Sequence, residues 1–211
     1  MKKILLPVCV IIGFLSPNLW AQDAFNYARG SVNWAYNKSD YFEGKGSDAK
    51  SYNGLSFDIS KGFGTNFYGR GGMEFLSRNG GKDNATIANI GLGMFTSLRH
   101  GISLYSEAGL LGAGVEREFV KNVSKSANEK FAVDSSSERN IYGELGIHYR
   151  IGTVDLKSGY RYAHVIDDMH DIKIGADYNF NSKWALTADY TYRFWEPQQG
   201  SITSLGIKYT F

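Results

Sequence analysis

Apolar and polar residues alternate along most of the chain. In the segments 141–150 and 184–194, nearly every second residue is apolar or aromatic, and the residues between them are mostly polar, charged or small. Successive side chains of a β-strand point to opposite faces, so this pattern is typical of strands with one apolar and one polar face. The sequence therefore predicts an all-β protein.

The alternation predicts ten strands, over residues 25–36, 51–62, 66–76, 86–98, 102–118, 139–151, 154–166, 171–179, 184–194 and 201–211. A tilted strand needs about 9–11 residues to cross a bilayer. The connections alternate between long and short, as in outer-membrane barrels with short periplasmic turns and long external loops. We therefore expect a transmembrane antiparallel up-and-down β-barrel with both termini in the periplasm. An eight-stranded barrel is the alternative if 86–98 or 171–179 is not a strand.

Aromatic residues are concentrated near the ends of the predicted strands. Those near the outer ends are Trp34, Tyr36, Phe75, Tyr162, Phe194 and Trp195. Those near the inner ends are Phe63, Phe67, Tyr149, Phe180, Trp184, Tyr209 and Phe211. Two aromatic rings, one at each membrane interface, are typical of transmembrane barrels. The two sets therefore favour the same orientation as the connection lengths.

The final predicted strand has an apolar face formed by Leu205, Ile207, Tyr209 and Phe211. This terminus resembles the C-terminal sorting signal of bacterial outer-membrane β-barrels, with Gly206, Tyr209 and Phe211 as the assembly signal. The resemblance implies that periplasmic chaperones and the barrel-assembly machinery bind the newly made chain. It also implies that the protein is integral to the outer membrane.

The opposite end of the chain predicts an export signal. Lys2 and Lys3 are followed by an apolar run that ends at Leu15. Ala21 is a small residue of the kind that precedes the cleavage site of a signal peptide. We expect residues 1–21 to be a cleaved signal peptide and residues 22–211 to form the barrel domain.

Composition then excludes several classes of function. The formal net charge of the whole chain is +2 at pH 7, and the predicted signal contains two lysines and no acidic residue. The predicted mature chain is therefore neutral and lacks the basic surplus that nucleic-acid binding requires. Cys9, the only cysteine, lies in the predicted signal, so no disulfide or cysteine metal site is expected. The four histidines are scattered along the chain, and we expect no metal and no cofactor.

A resemblance to a known family is carried by the segment 175–190, Gly-Ala-Asp-Tyr-Asn-Phe-Asn-Ser-Lys-Trp-Ala-Leu-Thr-Ala-Asp-Tyr. It resembles a strand–turn–strand unit of the small OmpA-like outer-membrane β-barrel proteins of Gram-negative bacteria. The resemblance covers the predicted mature chain in its pattern, and it is close in sequence only from about residue 141 onward. It implies a barrel in the outer membrane without a periplasmic domain, and it brings no catalytic residues.

The polar face of the predicted strands faces the lumen and carries charges of both signs. The cations are Arg29, Arg70, Arg150, Lys157, Arg161, Lys173, Arg193 and Lys208, and the anions are Asp58, Glu74, Glu107, Glu144, Asp155, Asp177 and Asp189. Charges inside a narrow barrel are tolerated away from bulk water when they pair. We therefore expect a lumen network of ion pairs in a non-enzymatic barrel that is structural or weakly porin-like. A narrow pore for small polar solutes is the alternative.

Two long predicted loops, residues 37–50 and 119–138, indicate a second possible function. Loops on a rigid scaffold commonly carry recognition, so the barrel could act as an adhesin or a resistance factor. The charged residues of the second loop are Lys121, Lys125, Glu129, Lys130, Asp134, Glu138 and Arg139. Its basic first half could contact the phosphates of lipopolysaccharide. We expect outer-membrane lipid and lipopolysaccharide as partners of a monomeric barrel.

A carboxylate–imidazole cluster lies near one predicted hairpin tip and consists of His164, Asp167, Asp168, Met169, His170 and Asp171. Such pairs can activate a water molecule, because each group tunes the pKa and the tautomer of the other. The run Asp168-Met169-His170 resembles half of the site of omptin proteases, but a second acidic pair is not visible. A polar hairpin tip is therefore favoured over a rim hydrolase, and no catalytic residue is assigned.

Overall fold

The computed structural model describes residues 24–38, 50–79, 83–120 and 131–211. They form β1 (Tyr27–Lys38), β2 (Lys50–Phe63), β3 (Phe67–Arg78), β4 (Asn84–Ser97), β5 (Ile102–Val120), β6 (Phe131–Ile151), β7 (Val154–Val165), β8 (Asp167–Asn179), β9 (Trp184–Phe194) and β10 (Gln199–Thr210). Two short 3₁₀ turns, Arg99–Gly101 and Glu196–Gln198, lie in the connections. Within these residues, no helix has both the length and the apolar character needed to cross a membrane.

The ten strands form one closed antiparallel barrel. Each strand pairs with its neighbours in sequence, and β1 closes the barrel by pairing with β10 from Tyr27↔Thr210 to Lys38↔Gln199. The predicted all-β barrel of ten strands is therefore confirmed. The eight-stranded alternative is wrong, because β4 and β8 each pair with a strand on both sides.

The barrel has two different ends. The short connections β2–β3, β4–β5, β6–β7 and β8–β9 lie at the same end as Tyr27 and Thr210, which we call the terminal end. The opposite end is the loop end. Gly64 and Gly152 have φ values of +62° and +60° in two of the terminal-end turns, a conformation that glycine adopts without steric cost.

The outer wall of the barrel is apolar. Leucine and isoleucine side chains in the middle of the strands are largely exposed, and Ile141 is 71% exposed. The next residue along each strand points inward, because strand side chains alternate between the faces of the sheet. Such a continuous apolar exterior is the reverse of a water-soluble protein and is typical of a barrel surrounded by lipid.

Aromatic side chains border this apolar wall at both ends. Trp34, Tyr36, Phe75, Tyr162 and Phe194 are exposed at the loop end, and Phe63, Phe67, Tyr149, Phe180, Trp184 and Phe211 are exposed at the terminal end. Trp195 is an exception to the predicted outer set. It is only 2% exposed, and its indole Nε1 donates a hydrogen bond to the carbonyl of Val165 at 2.9 Å. The prediction was wrong because Phe194 already faces outward, so the next residue of the extended chain faces inward.

Two strands, β6 and β8, begin four or more residues earlier than the sequence predicts. β6 begins at Phe131 instead of residue 139, because β5 and β6 remain paired up to Val120↔Phe131. β4 pairs with β5 only as far as Asn84↔Glu116, so the β5–β6 hairpin extends beyond its neighbours at the loop end. Within the predicted loop 119–138, residues 121–130 lie outside the described residues, as do residues 39–49 of the predicted loop 37–50.

β8 begins at Asp167 instead of residue 171. Val165 pairs with Asp167 across the single residue Ile166, which has a φ of +65°. A β-branched residue rarely adopts this conformation, so the sequence gives no ordinary turn signal at this position. The sequence therefore does not indicate that β7 and β8 are joined by a tight turn at Ile166.

Glycines make room for tyrosine rings that lie against the inner wall of the barrel near the terminal end. A Cβ atom at Gly93 would overlap the ring of Tyr68, and one at Gly146 would overlap the ring of Tyr105. Both tyrosine side chains are buried. The glycines on the inner wall therefore allow bulky rings to fill a narrow interior.

Lumen network as the candidate functional site

The middle of the lumen contains the predicted charges, together with one carboxylate that the prediction omitted. Alternation along the strands points the predicted lumen residues inward, and the ion pairs among them involve eight cations and eight anions within the described residues. These are Arg29, Arg70, Arg150, Lys157, Arg161, Lys173, Arg193 and Lys208, with Asp58, Glu74, Glu107, Glu144, Asp155, Asp171, Asp177 and Asp189. The charges on this inner surface are therefore balanced.

One group of charges surrounds Arg70. Its guanidinium lies 3.0 Å from Glu144 and 3.4 Å from Glu107, measured between nitrogen and carboxylate oxygen. Glu144 also accepts a hydrogen bond from Lys173 at 2.7 Å and one from the Tyr105 hydroxyl at 3.0 Å. β3 and β6, which contribute Arg70 and Glu144, are not neighbours in the sheet. This pair therefore crosses the lumen.

A second group crosses the lumen near the loop end of the charged layer. Arg193 Nε lies 2.8 Å from Asp171, and its Nη1 lies 2.7 Å from Glu74 on β3. Arg161 also pairs with Asp171. The Asp171 side chain is fully buried, so both of its arginine partners compensate a charge held away from bulk solvent.

Asp171 was assigned to the hairpin-tip cluster by the sequence prediction, and this assignment was wrong. Because β8 begins at Asp167, alternation along the strand turns Met169 and Asp171 inward and Asp168 outward. The signal was present in the sequence, since Asp171 lies at even spacing from Lys173 and Asp177, which were both assigned to the lumen.

The third group forms a chain of alternating charges toward the terminal end. Arg29 contacts Asp58 at 2.7 Å and Asp189 at 2.8 Å. Lys157 joins Asp189 to Asp177, at 2.9 Å and 2.7 Å. The chain continues through Lys208, which lies 2.7 Å from Asp177, and ends with the pair Arg150–Asp155.

A polar cavity of ≈ 150 Å³ lies within this network. It is lined by side chains of all three groups, including Arg29, Arg70, Lys173 and Arg193. A polar cavity of this size has room for several water molecules. We call it the lumen cavity.

Apolar side chains close the loop end of the lumen. The buried residues of this cluster are Ala35, Tyr52, Leu76, Ala85, Ile87, Leu111, Ala113, Val115, Tyr142, Ala163, Val165, Met169, Trp195 and Ile202. We call them the loop-end cluster. They come from nearly every strand of the wall, and Leu76, Leu111 and Met169 have no exposed surface.

An aromatic cluster closes the terminal end. Phe25 stacks on Tyr68 and Phe95 with ring centroids 4.4 Å and 4.6 Å apart, and it meets the edge of Tyr105 at 5.9 Å. His148 stacks on the same phenylalanine at 5.2 Å. The alternation pattern did not reveal this cluster, because it predicts a first strand from residue 25, whereas Phe25 lies before β1.

The predicted carboxylate–imidazole cluster is divided by the wall. His164, Asp168 and His170 lie on the outer side, where His164 Nδ1 is 2.7 Å from Asp168 Oδ1 and His170 Nδ1 is 2.6 Å from the Tyr160 hydroxyl. The cluster therefore does not form one site facing the lumen. Within the described part of the chain, no three His, Cys, Asp or Glu side chains are placed to hold a metal ion.

The exposed His164–Asp168 pair lies beyond the loop-end aromatic residues, outside the membrane-spanning part of the strands. The hydrogen bond to Asp168 raises the pKa of His164 above its usual value. The same hydrogen bond lowers the pKa of the Asp168 carboxyl. A hydroxyl from Tyr162 also donates to Asp168 at 2.8 Å.

Of the residues of the predicted assembly signal, Tyr209 and Phe211 lie at the terminal end, whereas Gly206 lies on the inner face of β10 between Ser204 and Lys208. The Tyr209 ring packs on Trp184 with centroids 4.8 Å apart, and Lys61 lies over the Phe211 ring at 4.7 Å. A Cβ atom at Gly206 would overlap Ser31, so glycine permits β10 to approach β1 closely. The role of these residues in sorting stays a prediction.

The sequence matches no protein-family model and no curated protein. Solved structures similar to this chain include Ail, the attachment invasion locus protein of Yersinia pestis, at 13% identity, 88% coverage of this chain, 99% of that chain and a TM-score of 0.42. Neisserial surface protein A is 12% identical, with 88% and 96% coverage and a TM-score of 0.41. The beta domain of the Bordetella autotransporter BrkA is 12% identical, with 88% and 100% coverage and a TM-score of 0.47. The OmpA-like resemblance is not established by these matches and stays a prediction.

Proposed function

We propose that this protein is an integral, non-enzymatic β-barrel of the outer membrane that is structural or weakly porin-like. The observation that carries the proposal is a closed barrel with an apolar outer wall and a charged, internally paired lumen. This combination suits a lipid environment outside and a filled interior. We further propose that the termini face the periplasm, that the barrel is a monomer, and that lipopolysaccharide surrounds its loop end.

The lumen contents support a low conductance. The pairs Arg70–Glu144 and Arg193–Glu74 cross the interior, and the two ends are closed by the loop-end cluster and by Phe25. An ion entering the lumen would have to displace charges that already satisfy one another. Such displacement is costly because breaking a buried pair leaves a charge without compensation.

Planar-bilayer recording of the refolded protein tests this proposal. We expect only small, fluctuating currents from the wild-type barrel. Large, steady and weakly selective currents would show that the protein is a general diffusion porin and that the paired lumen does not block passage.

A second function, surface binding, is favoured by the β5–β6 hairpin, which extends beyond the neighbouring strands at the loop end. Residues 121–130, which join β5 to β6 in the sequence, include Lys121, Lys125 and Lys130. We propose that these lysines bind the phosphates of lipopolysaccharide.

The lipopolysaccharide retained by the purified barrel measures this binding. We expect a variant with Lys121→Gln, Lys125→Gln and Lys130→Gln to retain less than the wild type. The control is Lys183→Gln, because Lys183 lies in a terminal-end turn. Equal retention by the triple variant, the control and the wild type would exclude the hairpin as the binding site.

A further inference from the structure

The two ends of the lumen cavity are closed in different ways. At the loop end, the closing side chains belong mainly to the strands of the wall, so they cannot leave the lumen without deforming the barrel. At the terminal end, Phe25 belongs to residues 24–26, which precede β1 and take no part in the strand pairing of the wall. We call residues 24–26 the terminal segment.

The terminal segment crosses the mouth of the barrel. On one side, the ring of Phe25 packs against Tyr68, Phe95, Tyr105 and His148, which come from β3, β4, β5 and β6. On the other side, the backbone of the segment is held near β2 and the end of β10. The phenyl ring is 3% exposed, so it fills the space between these two sides.

Three hydrogen bonds hold the terminal segment in this position. The Ser60 hydroxyl donates to the Phe25 carbonyl at 2.9 Å, and the Gly62 amide donates to the Asn26 side-chain oxygen at 2.9 Å. The Phe211 amide donates to the Asn26 carbonyl at 3.3 Å. These bonds and the ring contacts can break while every strand pair of the wall stays intact.

The terminal segment is also part of the cavity surface. Ala24 and Tyr27, which flank Phe25 and Asn26, both line the lumen cavity, as does His148 beneath the Phe25 ring. Withdrawal of the segment would therefore connect the cavity directly to the solvent at the terminal end.

We propose that the terminal segment is a gate, with Phe25 as its closing side chain, that admits water and small polar solutes to the lumen cavity from the terminal end alone. The loop-end cluster remains closed when the gate opens. The cavity is then a pocket that exchanges its contents with one side of the membrane, and not a continuous pore. This proposal rests on the filled lumen of the proposed function.

A thiol placed in the cavity tests the gate. Ser31 lines the cavity and is close in size to cysteine, so Ser31→Cys reports access. Cys9, the only native thiol, lies in the predicted signal, and Cys9→Ser removes it from any chain that retains that segment. The small neutral reagent methyl methanethiosulfonate is added to protein refolded in phosphatidylcholine vesicles, and mass spectrometry follows the modification. We expect Phe25→Ala to increase the rate at least tenfold. Phe63→Ala is the matched control, because Phe63 is at the same end but on the outer wall.

A second variant keeps the test decisive if Phe25→Ala does not fold. Asn26→Ala removes the side-chain contact to Gly62 but retains the phenyl ring, so we expect a rate between those of the wild type and Phe25→Ala. The gate would be overturned if the introduced thiol were modified at the same rate with and without Phe25→Ala and Asn26→Ala. It would also be overturned if the Ser31→Cys barrel with an intact terminal segment were modified as fast as an unfolded chain.

Conductance separates failure of the gate from failure of the proposed function. We expect Phe25→Ala to leave the bilayer current at the wild-type level, because the loop-end cluster is unchanged. A steady through-current in Phe25→Ala alone would overturn one-sided access. Large currents in the wild type would instead overturn the filled lumen itself.

Discussion

Asp171 illustrates how a single carboxylate organises the lumen at the residue scale. Its side chain is fully buried, and both Arg161 and Arg193 pair with it. Arg193 in turn pairs with Glu74 across the barrel. Loss of the Asp171 charge would therefore leave two guanidinium groups partly uncompensated in the interior of the barrel.

We expect Asp171→Asn to lower the free energy of unfolding by about 3–5 kcal/mol, the range typical when one partner of a buried ion pair is removed. Urea titration of the protein in lipid vesicles measures the change. Asp168→Asn is the control, because Asp168 lies nearby on the outer side and is exposed. Equal unfolding midpoints for the two variants would contradict the assigned inward position of Asp171.

The His164–Asp168 pair gives a pH-dependent prediction. Because the hydrogen bond that His164 donates to Asp168 raises the pKa of His164, the charged imidazolium is favoured in the folded protein. Any contribution of this pair to stability is fully present below the ordinary histidine pKa of about 6.5. It is lost as the pH rises through the raised pKa of His164 in the folded protein.

We expect Asp168→Asn to shift the titration of His164 to lower pH, as followed by NMR of the imidazole protons. Because both side chains are exposed, the unfolding midpoint should change little. An identical His164 titration curve in the variant and the wild type would show that this hydrogen bond is not maintained in solution.

At the scale of the strand, the alternation of faces determines which substitutions are tolerated. On β9, Leu186 is 54% exposed on the outer wall, and its neighbour Thr187 is fully buried on the inner wall. A charge at the first position would lie in hydrocarbon, whereas a large side chain at the second would compete for space in the lumen. Leu145 on β6 and Ile174 on β8 also face outward.

We expect Leu186→Arg to destabilise the barrel by about 2–4 kcal/mol if Leu186 lies near the bilayer midplane, and by less near an interface. The matched control is Leu98→Arg, because Leu98 is exposed in a terminal-end turn, where the cost should be about 0–1 kcal/mol. Both changes are measured by folding titrations in lipid vesicles. Neutral arginine variants at Leu186, Leu145 and Ile174 alike would contradict the lipid-facing position of these residues.

At the scale of the whole molecule, stability and closure of the lumen depend on the same contacts. Arg70 joins β3 to β5 and β6 through Glu107 and Glu144, and these carboxylates are almost completely buried. The contacts therefore hold opposite parts of the wall together and also occupy the path along the barrel axis.

We expect Arg70→Gln to lower the unfolding midpoint. Because β3, β5 and β6 also carry side chains of the loop-end cluster, we expect their looser attachment to loosen that cluster and to raise the leak current at the same time. Arg139→Gln is the control, since Arg139 is exposed near the loop end. Vesicle unfolding and bilayer recording are carried out on the same preparations. A loss of stability with no increase in leak would show that the Arg70 contacts support the wall without closing the lumen.

The sequence by itself determined the ten strands and the faces of most of their residues. Both follow from backbone geometry, because alternation is a local property that each segment carries independently. The same rule would have turned Trp195 and Asp171 inward. Asp171 was misplaced because β8 begins at Asp167 and not at residue 171, whereas Trp195 was misplaced because alternation was not continued past Phe194, where the predicted strand correctly ends. The early start of β8 was hidden because Ile166 is not a residue that marks a turn.

Only the tertiary structure decided which charges meet and how the lumen is closed. Arg29 and Asp189 are 160 positions apart, and Arg193 and Glu74 are 119 positions apart. Such partners depend on barrel closure and on the register of every strand between them. The place of Phe25 across the terminal end likewise depends on rings from four strands and on space left by glycine at positions such as Gly93. These contacts join parts of the chain that no local pattern connects, and for that physical reason the sequence could not reveal them.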